Sequence, residues 1–257
     1  MEKIGLTVVL CLMTLSAPLL VTAKEKIPEN VESIKEENTY HQSNNKEKQV
    51  KLDKSVKKLL DDEDIKIENE SLIKMLNETK IKPSFFSIGY RGNIYLGHWP
   101  LNYESEKSNI KWDFQLVNTN EVENKSVEND EEIYYQQLEE KRVNGGLTAK
   151  VEKPDQIKQL ILKEAKKSYS LPLSFQTVFG EDTKLSKTYE VPAGQKGELA
   201  AYVPALLEKG EVTFGEVYIE LRGTKKKIVI QNVTKQEVGA FIPVKNYVTL
   251  QYLPKGG

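Results

Sequence analysis

The sequence predicts an α+β fold dominated by strands: an antiparallel β-sandwich or curled sheet with one main helix at about 154–168. Three observations predict this class. Short runs of β-branched and aromatic residues recur through the C-terminal two thirds of the chain. Turns that contain Gly, Pro or Asn separate these runs. One long amphipathic segment, Pro154–Ser168, has the 3.6-residue period of a helix.

Residues 1–23 have the layout of a secretory signal peptide. Lys3 supplies a positive charge, Ile4–Val21 is mostly apolar, and small residues end at Ala23 before the charged Lys24. We therefore expect cleavage between Ala23 and Lys24, and an extracytoplasmic mature chain that is secreted or associated with the cell wall. An uncleaved anchor helix is the alternative, because the apolar run approaches the length that spans a bilayer.

Composition restricts the chemistry that the mature chain can perform. Cys11 is the only cysteine and lies inside the leader, so disulfides and cysteine-based sites are excluded after cleavage. The 37 basic and 38 acidic residues leave a net charge of -1, which predicts no general attraction to nucleic acid or anionic membranes. A cysteine-free exported chain rich in Lys, Glu and Asn is typical of Gram-positive bacteria. After the leader, no apolar run is long enough to span a membrane.

Residues 24–80 differ in composition from the rest of the chain. Lys24–Gln49 is nearly all Lys, Glu, Asn, Ser and Gln, and such a segment cannot bury enough apolar surface to offset the entropy lost on ordering. We expect a charged, largely disordered stalk with short helical pieces, one at Lys51–Leu60 and a helical or extended one at Ser71–Asn77. A spacer is favoured over a partner-binding helix, because charge-rich segments are usually solvated.

Residues 81–257 are predicted to form a β-rich globular domain. Aromatic and β-branched residues crowd between Phe85 and Trp99, and apolar residues alternate along Trp112–Val117. Glu132–Val143 fits a helix by charge and a strand by its aromatic content, and the following Gly145-Gly146 favours the strand. Later strands are expected at Leu173–Phe179, Lys187–Val191, Glu198–Val203, Glu211–Leu221, Lys226–Val233, Gly239–Val244 and Tyr247–Tyr252, with turns that include Lys209-Gly210 and Gly223-Thr224.

The helix at Pro154–Ser168 has local signals at both ends. Pro154 suits the first turn, Asp155 lies near the positive end of the helix dipole, and Lys166-Lys167 favour its C-terminal end. The apolar stripe consists of Ile157, Leu160, Ile161 and Ala165. We expect this stripe to pack against one face of the sheet.

Four blocks of sequence carry a family resemblance: Gly89–Tyr103, Lys141–Lys150, Leu171–Phe175 and Gly215–Tyr218. Together they resemble the YfkD-like family of exported proteins from Gram-positive bacteria. The resemblance covers about residues 83–254, and the first two blocks are the more specific. It implies an exported domain with no assigned activity, and it brings no active-site pattern to this chain.

An aromatic cluster with neighbouring polar residues is the candidate binding groove, since aromatic faces stack on sugars and peptides. Its residues are Tyr90, Arg91, Tyr95, His98, Trp99, Tyr103 and Trp112. Core packing is the alternative for the aromatic residues. A hydrogen-bonded structural role is the alternative for His98, because the predicted domain has no second His or Cys to complete a metal or catalytic site. No cofactor or metal site is predicted, and Lys225–Lys227 is expected to protect a hairpin edge.

Three functions fit these patterns. The first is an exported, non-catalytic domain that binds a cell-envelope component or another exported protein. The second is a wall-acting hydrolase, which requires a cleft with two facing carboxyl groups, one of raised pKa. The third is an aerolysin-like β-pore former, because Leu173–Phe179 and Lys187–Val203 are similar to strands of that class. A pore hairpin needs long alternating segments, whereas these are short and interrupted by Pro192 and Gly197.

Overall fold

The computed structural model describes residues 26–34, 39–40, 56–57, 65–79, 89, 91–223 and 225–255. Its two named helices are α1 (Glu70–Glu78) and α2 (Pro154–Ser168). The strands are β1 (Val31–Ser33), β2 (Thr39–Tyr40), β3 (Arg91–Glu123), β4 (Glu131–Gln136), β5 (Lys141–Asn144), β6 (Gly146–Leu147), β7 (Gln176–Phe179), β8 (Lys184–Val191), β9 (Lys196–Arg222), β10 (Lys225–Pro243) and β11 (Tyr247–Lys255). The β-dominant α+β class and the main helix at 154–168 are confirmed.

Strand β9, which is 27 residues long, is the axis of the main antiparallel sheet. Along one edge it pairs with the 33 residues of β3, from Arg91 opposite Arg222 to Glu123 opposite Lys196. Along the other edge β10 and β11 follow one another end to end. β6 extends the sheet beyond β10 and β1 extends it beyond β11, while β2-β7-β5 and β4-β8 form two smaller sheets.

Different elements cover the two faces of β9. α2 packs on the even-numbered face in the middle of the strand, where Ile161 and Leu206 share a core. Near Arg222, α1 packs on the opposite face, where Leu72 and Val217 share a second core. The even-numbered face beyond α2 is packed against neither helix, and the candidate site lies there.

The predicted turn at Lys209-Gly210 is wrong, because both residues lie inside β9. A Cβ atom at Gly210 would lie 2.1 Å from the carbonyl oxygen of Glu104 and 2.7 Å from the hydroxyl oxygen of Tyr103. The glycine allows close approach of β3 to β9 and does not reverse the chain. The predicted strands at 198–203 and 211–221 are one strand. Those at 226–233 and 239–244 are likewise one strand, β10, with a bulge at Asn232 (φ 50°).

Two pieces of the segment predicted as a stalk belong to the folded body. β1 pairs with β11, and the adjacent Ile34 is buried in a core with Val248. In α1, Leu72, Ile73 and Leu76 are buried, and the Asn69 side chain caps the helix by accepting from the Leu72 N–H at 3.1 Å. The helical piece expected at Ser71–Asn77 is confirmed as α1. The structure differs from the expectation in that both pieces pack on the folded body, each through a few buried aliphatic residues.

Several sequence predictions lie outside the described residues. These are the leader at 1–23, most of the helix at 51–60, and the aromatic residues at 85–86. Within the described ranges, no helix combines the length and the apolar composition that a membrane span requires.

Candidate functional site

In the part of the chain that the structure describes, neither helix packs on the even-numbered face of β9 where β3, β9 and β10 run side by side towards Arg222. Residues directly opposite one another in an antiparallel sheet point to the same face, so the pairing register defines which side chains share this surface. We call it the open face. It comprises Arg91, Asn93, Tyr95 and His98 on β3, Glu216, Tyr218, Glu220 and Arg222 on β9, and Lys225, Lys227, Val229 and Gln231 on β10.

A bulge in β3 places His98 on the open face. The register shifts between Tyr95, opposite Tyr218, and Gly97, opposite Val217, so that one extra residue lies in β3. Gly97 has φ 110°, a conformation that favours glycine. Strict alternation would place His98 on the face opposite to Tyr95. Because of the bulge, His98 lies opposite Glu216 and joins Tyr95 instead.

Two tyrosines form the centre of the open face. The ring centroids of Tyr95 and Tyr218 lie 5.0 Å apart with an interplanar angle of 40°, and Tyr95 is 54% exposed. The Tyr218 hydroxyl donates to Glu216 Oε2 at 2.8 Å, and the same oxygen accepts from Asn232 Nδ2 at 2.9 Å. The hydrogen bond to the Glu216 carboxylate raises the pKa of Tyr218. The pair therefore presents aromatic surface next to a fixed hydrogen-bond acceptor.

Side chains protect the outer edge of β3 beside the tyrosines. Lys153, which precedes α2, donates to the carbonyl oxygen of His98, and its Nζ lies 3.8 Å from the centre of the Trp99 ring. Trp99 Nε1 donates to the carbonyl oxygen of Leu96 at 2.9 Å. Burial lowers the pKa of Lys153, an effect that the carboxylate of Glu152 opposes. Two backbone acceptors of the edge are thereby occupied.

His98 connects this edge to the core under α2. Its ring stacks on Phe214 with centroids 5.4 Å apart and an interplanar angle of 9°. His98 Nδ1 lies 3.1 Å from Glu152 Oε2, at the surface. These contacts fix the orientation of the ring and leave it partly accessible from the open face.

The structure separates the residues of the predicted groove. Arg91, Tyr95 and His98 share the open face, and Trp99 lies at its edge with its ring against the α1 core. Tyr103 is 2% exposed beneath α2, and Trp112 packs against the same core. Tyr90 lies outside the described residues. The prediction that all seven residues form one groove is therefore wrong for Tyr103 and Trp112, since both face the core.

Sequence reasoning assigned no ligand to the β9 and β10 residues of this face. Polar residues or tyrosine occupy every second position of β9 at Glu216, Tyr218, Glu220 and Arg222, which is the pattern of an exposed strand face. By sequence alone, Lys225–Lys227 indicates only the protection of a hairpin edge. Nothing local in either segment indicates that it lies beside Tyr95, because that pairing joins distant parts of the chain.

Glu208 on β9 meets one requirement of the hydrolase hypothesis but lacks the others. Burial raises its pKa, and Glu164 on α2 adds a like charge nearby. Its side chain is however only 4% exposed, and it accepts a hydrogen bond of 3.2 Å from the Tyr103 hydroxyl under α2. A polymer cannot reach this carboxyl group in the folded state. Among the described residues, no three His, Cys, Asp or Glu side chains are grouped as metal ligands.

Comparison with known proteins places the chain in one family. The sequence profile of the family described as "YfkD-like protein" matches residues 28–255. The chain is 43% identical over 235 residues to the "Uncharacterized protein YfkD" of Bacillus subtilis (strain 168). That alignment covers 91% of this chain and 89% of the relative. The matched range begins near β1, so it also includes β1 and α1.

Proposed function

The chain belongs to the YfkD-like family, and we propose that it is an exported, non-catalytic domain that binds a cell-envelope component through its open face. The signal-peptide layout of residues 1–23 supports export. The Tyr95–Tyr218 pair, in which Tyr95 is exposed and Tyr218 is half-buried, is the single observation that carries the binding proposal. The ligand class that fits it best is a wall glycan, with another exported protein as the alternative.

The tyrosine pair has the properties of a sugar platform. Its two rings stand on adjacent strands of one sheet, so their separation is set by backbone pairing and little entropy is lost on binding. Aromatic faces contact the apolar face of a sugar ring, while hydroxyl groups of the sugar seek fixed polar partners. An open sheet surface suits an extended polymer better than a small molecule, which is usually enclosed in a pocket.

Polar groups lie beside the two rings on the open face. Glu216 accepts hydrogen bonds from Tyr218 and Asn232 and is held in place by both. His98 is oriented by Phe214 and Glu152. These groups supply donors and acceptors for sugar hydroxyl groups, and their fixed positions provide selectivity between polymers.

Co-sedimentation of the full chain with purified cell walls tests this proposal. Tyr95→Ala and Tyr218→Ala are expected to reduce the apparent affinity about tenfold each, which corresponds to ~1.4 kcal/mol of lost stacking. Tyr134→Ala is the matched control, since Tyr134 is also exposed (40%) but lies on β4, away from the open face. The control is expected to bind as the unsubstituted chain does.

Two results would contradict the proposal. Equal wall binding by all three variants would show that the open face is not the contact surface. Absence of wall binding by the unsubstituted chain would eliminate wall polymers, and crosslinking in cells would then be used to identify an exported protein partner.

A further inference from the structure

Three positively charged side chains lie side by side where the open face ends. Arg91 on β3 lies opposite Arg222 on β9, which lies opposite Lys225 on β10. All three are exposed. Neighbouring strands are about 4.8 Å apart, so the Cβ atoms of the three residues lie within about 10 Å. We call this row the cationic rung.

Like charges directly opposite one another destabilise a sheet, so the three cations of the rung need nearby negative charges. Glu220 accepts from Arg222 Nε at 2.9 Å and from a terminal nitrogen of the same guanidinium at 2.7 Å. In the part of the chain that the structure describes, Arg91 and Lys225 contact no carboxylate. Three cations are thus balanced by one acid.

The same sheet contains a row of three acids whose charges are compensated by nearby lysines. Glu104, Glu211 and Glu237 lie opposite one another on β3, β9 and β10, and we call them the acidic rung. Lys235 Nζ lies 3.6 Å from Glu104 and 3.0 Å from Glu211, and Lys209 Nζ lies 3.4 Å from Glu237. Each acid of this row has a cation within reach. The cationic rung differs from the acidic rung in this respect, and an anion from outside the molecule would complete it.

We propose that the cationic rung binds phosphate groups of a linear anionic envelope polymer, an inference that rests on the proposed envelope-binding function and names its ligand chemistry. Arginine forks bind phosphate oxygens in a bidentate manner, and among the described residues the Arg91 fork has no carboxylate partner. Arg222 donates to Glu220 through Nε and one terminal nitrogen, which leaves its second terminal nitrogen for an anion. The rung lies on the same face as Tyr95 and Tyr218, two rungs along the strands. A phosphate-bearing chain that crosses the rung would continue onto the tyrosine platform.

A polymer fits this surface better than a lipid bilayer does. Binding of a protein to a bilayer surface combines electrostatic attraction with buried apolar area. The next rung of the open face consists of Asn93, Glu220 and Lys227, which are polar. Among the described residues of the open face, the aliphatic side chain nearest to the cations is Val229, which lies two rungs from them, opposite Tyr218. The surface is therefore suited to charge and hydrogen bonding.

Titration of the full chain with inorganic polyphosphate tests the cationic rung directly. The triple variant Arg91→Gln/Arg222→Gln/Lys225→Gln is expected to bind polyphosphate at least tenfold more weakly. It should also lower the slope of log K against log salt by about 2, since each contact to a flexible polyanion contributes about 0.7. The matched control is Lys111→Gln/Lys141→Gln/Lys184→Gln, which removes the same charge from three exposed, scattered positions. It is expected to bind as the unsubstituted chain does.

Further measurements distinguish a failure of this proposal from a failure of the proposed envelope-binding function. Tyr95→Ala should keep polyphosphate binding and lose binding to walls stripped of phosphate polymers, whereas the cationic triple variant should do the reverse. Equal loss in the two triple variants would overturn the proposal. So would equal affinity for polyglutamate, or tighter binding to vesicles containing phosphatidylglycerol than to polyphosphate. Urea unfolding of the triple variant, expected at or above the midpoint of the unsubstituted chain, shows that any loss is not due to misfolding.

Discussion

One face of the main sheet has a part that α2 covers and a part that it leaves open. Each part contains a hydrogen-bonded Tyr–Glu pair, but the surroundings of the two pairs are opposite. Under α2, the Tyr103 hydroxyl donates to Glu208 at 3.2 Å, and burial raises the pKa of both groups. On the open face, the Tyr218 hydroxyl donates to Glu216 at 2.8 Å next to solvent. The covered pair can only influence folding, whereas the open pair is accessible to a ligand. The chemistry of a Tyr–Glu pair therefore does not identify a site until its covering is known.

The first prediction concerns the covering itself and has the largest expected effect. Ile161→Ala removes a fully buried side chain of α2 and should lower the free energy of unfolding by about 3 kcal/mol. Tyr95→Ala, on the open face, should lower it by less than about 1 kcal/mol, because most of the side chain is already in water. Urea unfolding measures both. Similar losses would mean that the open face is itself covered in solution.

The second prediction tests the buried carboxyl group through pH. Glu208 is faced by Tyr103, Ser105 and Ser108 on β3 and by Glu164 on α2. Because burial raises its folded-state pKa above 4.5, ionisation opposes folding, and stability that is present at low pH is lost as the pH rises through the folded-state pKa. Glu208→Gln cannot ionise. Its free energy of unfolding, relative to the unsubstituted chain, should therefore increase from pH 4 towards neutral pH.

Unfolding of both chains at several pH values checks this result. Glu128→Gln, in an exposed loop, is the control. It shows how far the removal of one surface carboxyl group changes the dependence of the free energy of unfolding on pH. If the stability of Glu208→Gln relative to the unsubstituted chain decreases as the pH rises, the conclusion that burial raises the pKa of Glu208 is contradicted.

The third prediction has the smallest effect and contrasts the two charged rungs. Arg91→Gln relieves like-charge repulsion in the cationic rung and should raise the free energy of unfolding by about 0.5 kcal/mol at low salt. Lys235→Gln leaves Glu104 and Glu211 without their shared cation and should lower the urea midpoint. Both changes should diminish in 1 M salt, because exposed charges are screened. If both substitutions change stability in the same direction, the like charges of the two rungs are compensated to the same extent.

Local signals predicted one element almost completely, and pairing between distant segments explains the main errors. Pro154, Asp155 and a four-residue apolar stripe suffice to define α2, because a helix is stabilised by neighbours in sequence. Gly210 carries the local signal of a turn, yet its role is to admit the carbonyl group of Glu104 from β3. That contact cannot be inferred from the residues next to Gly210.

The candidate site was predictable to the same limited degree. Tyr95 and Tyr103 occur in one aromatic segment and lie on the same face of the sheet, opposite Tyr218 and Val212, but α2 covers only Tyr103. His98 reaches that face only through the register shift between Tyr95 and Gly97. A bulge moves every following residue to the other face, and the sequence does not indicate its position. The partner residues Glu216 and Tyr218 follow from the exposed pattern of β9 only once β3 is known to lie beside it.

The long pairing of β3 with β9 also has a consequence for the order of folding. β9 and β10 are joined by a tight hairpin and can meet early, whereas Arg91 must find Arg222 after most of the intervening chain has been made. Contacts between such distant residues form slowly, because loop closure must precede any gain from pairing. The open face draws one of its three strands from this late step. Binding competence should therefore appear only when folding is complete, so that an incompletely folded chain presents neither the tyrosine platform nor the full row of cations.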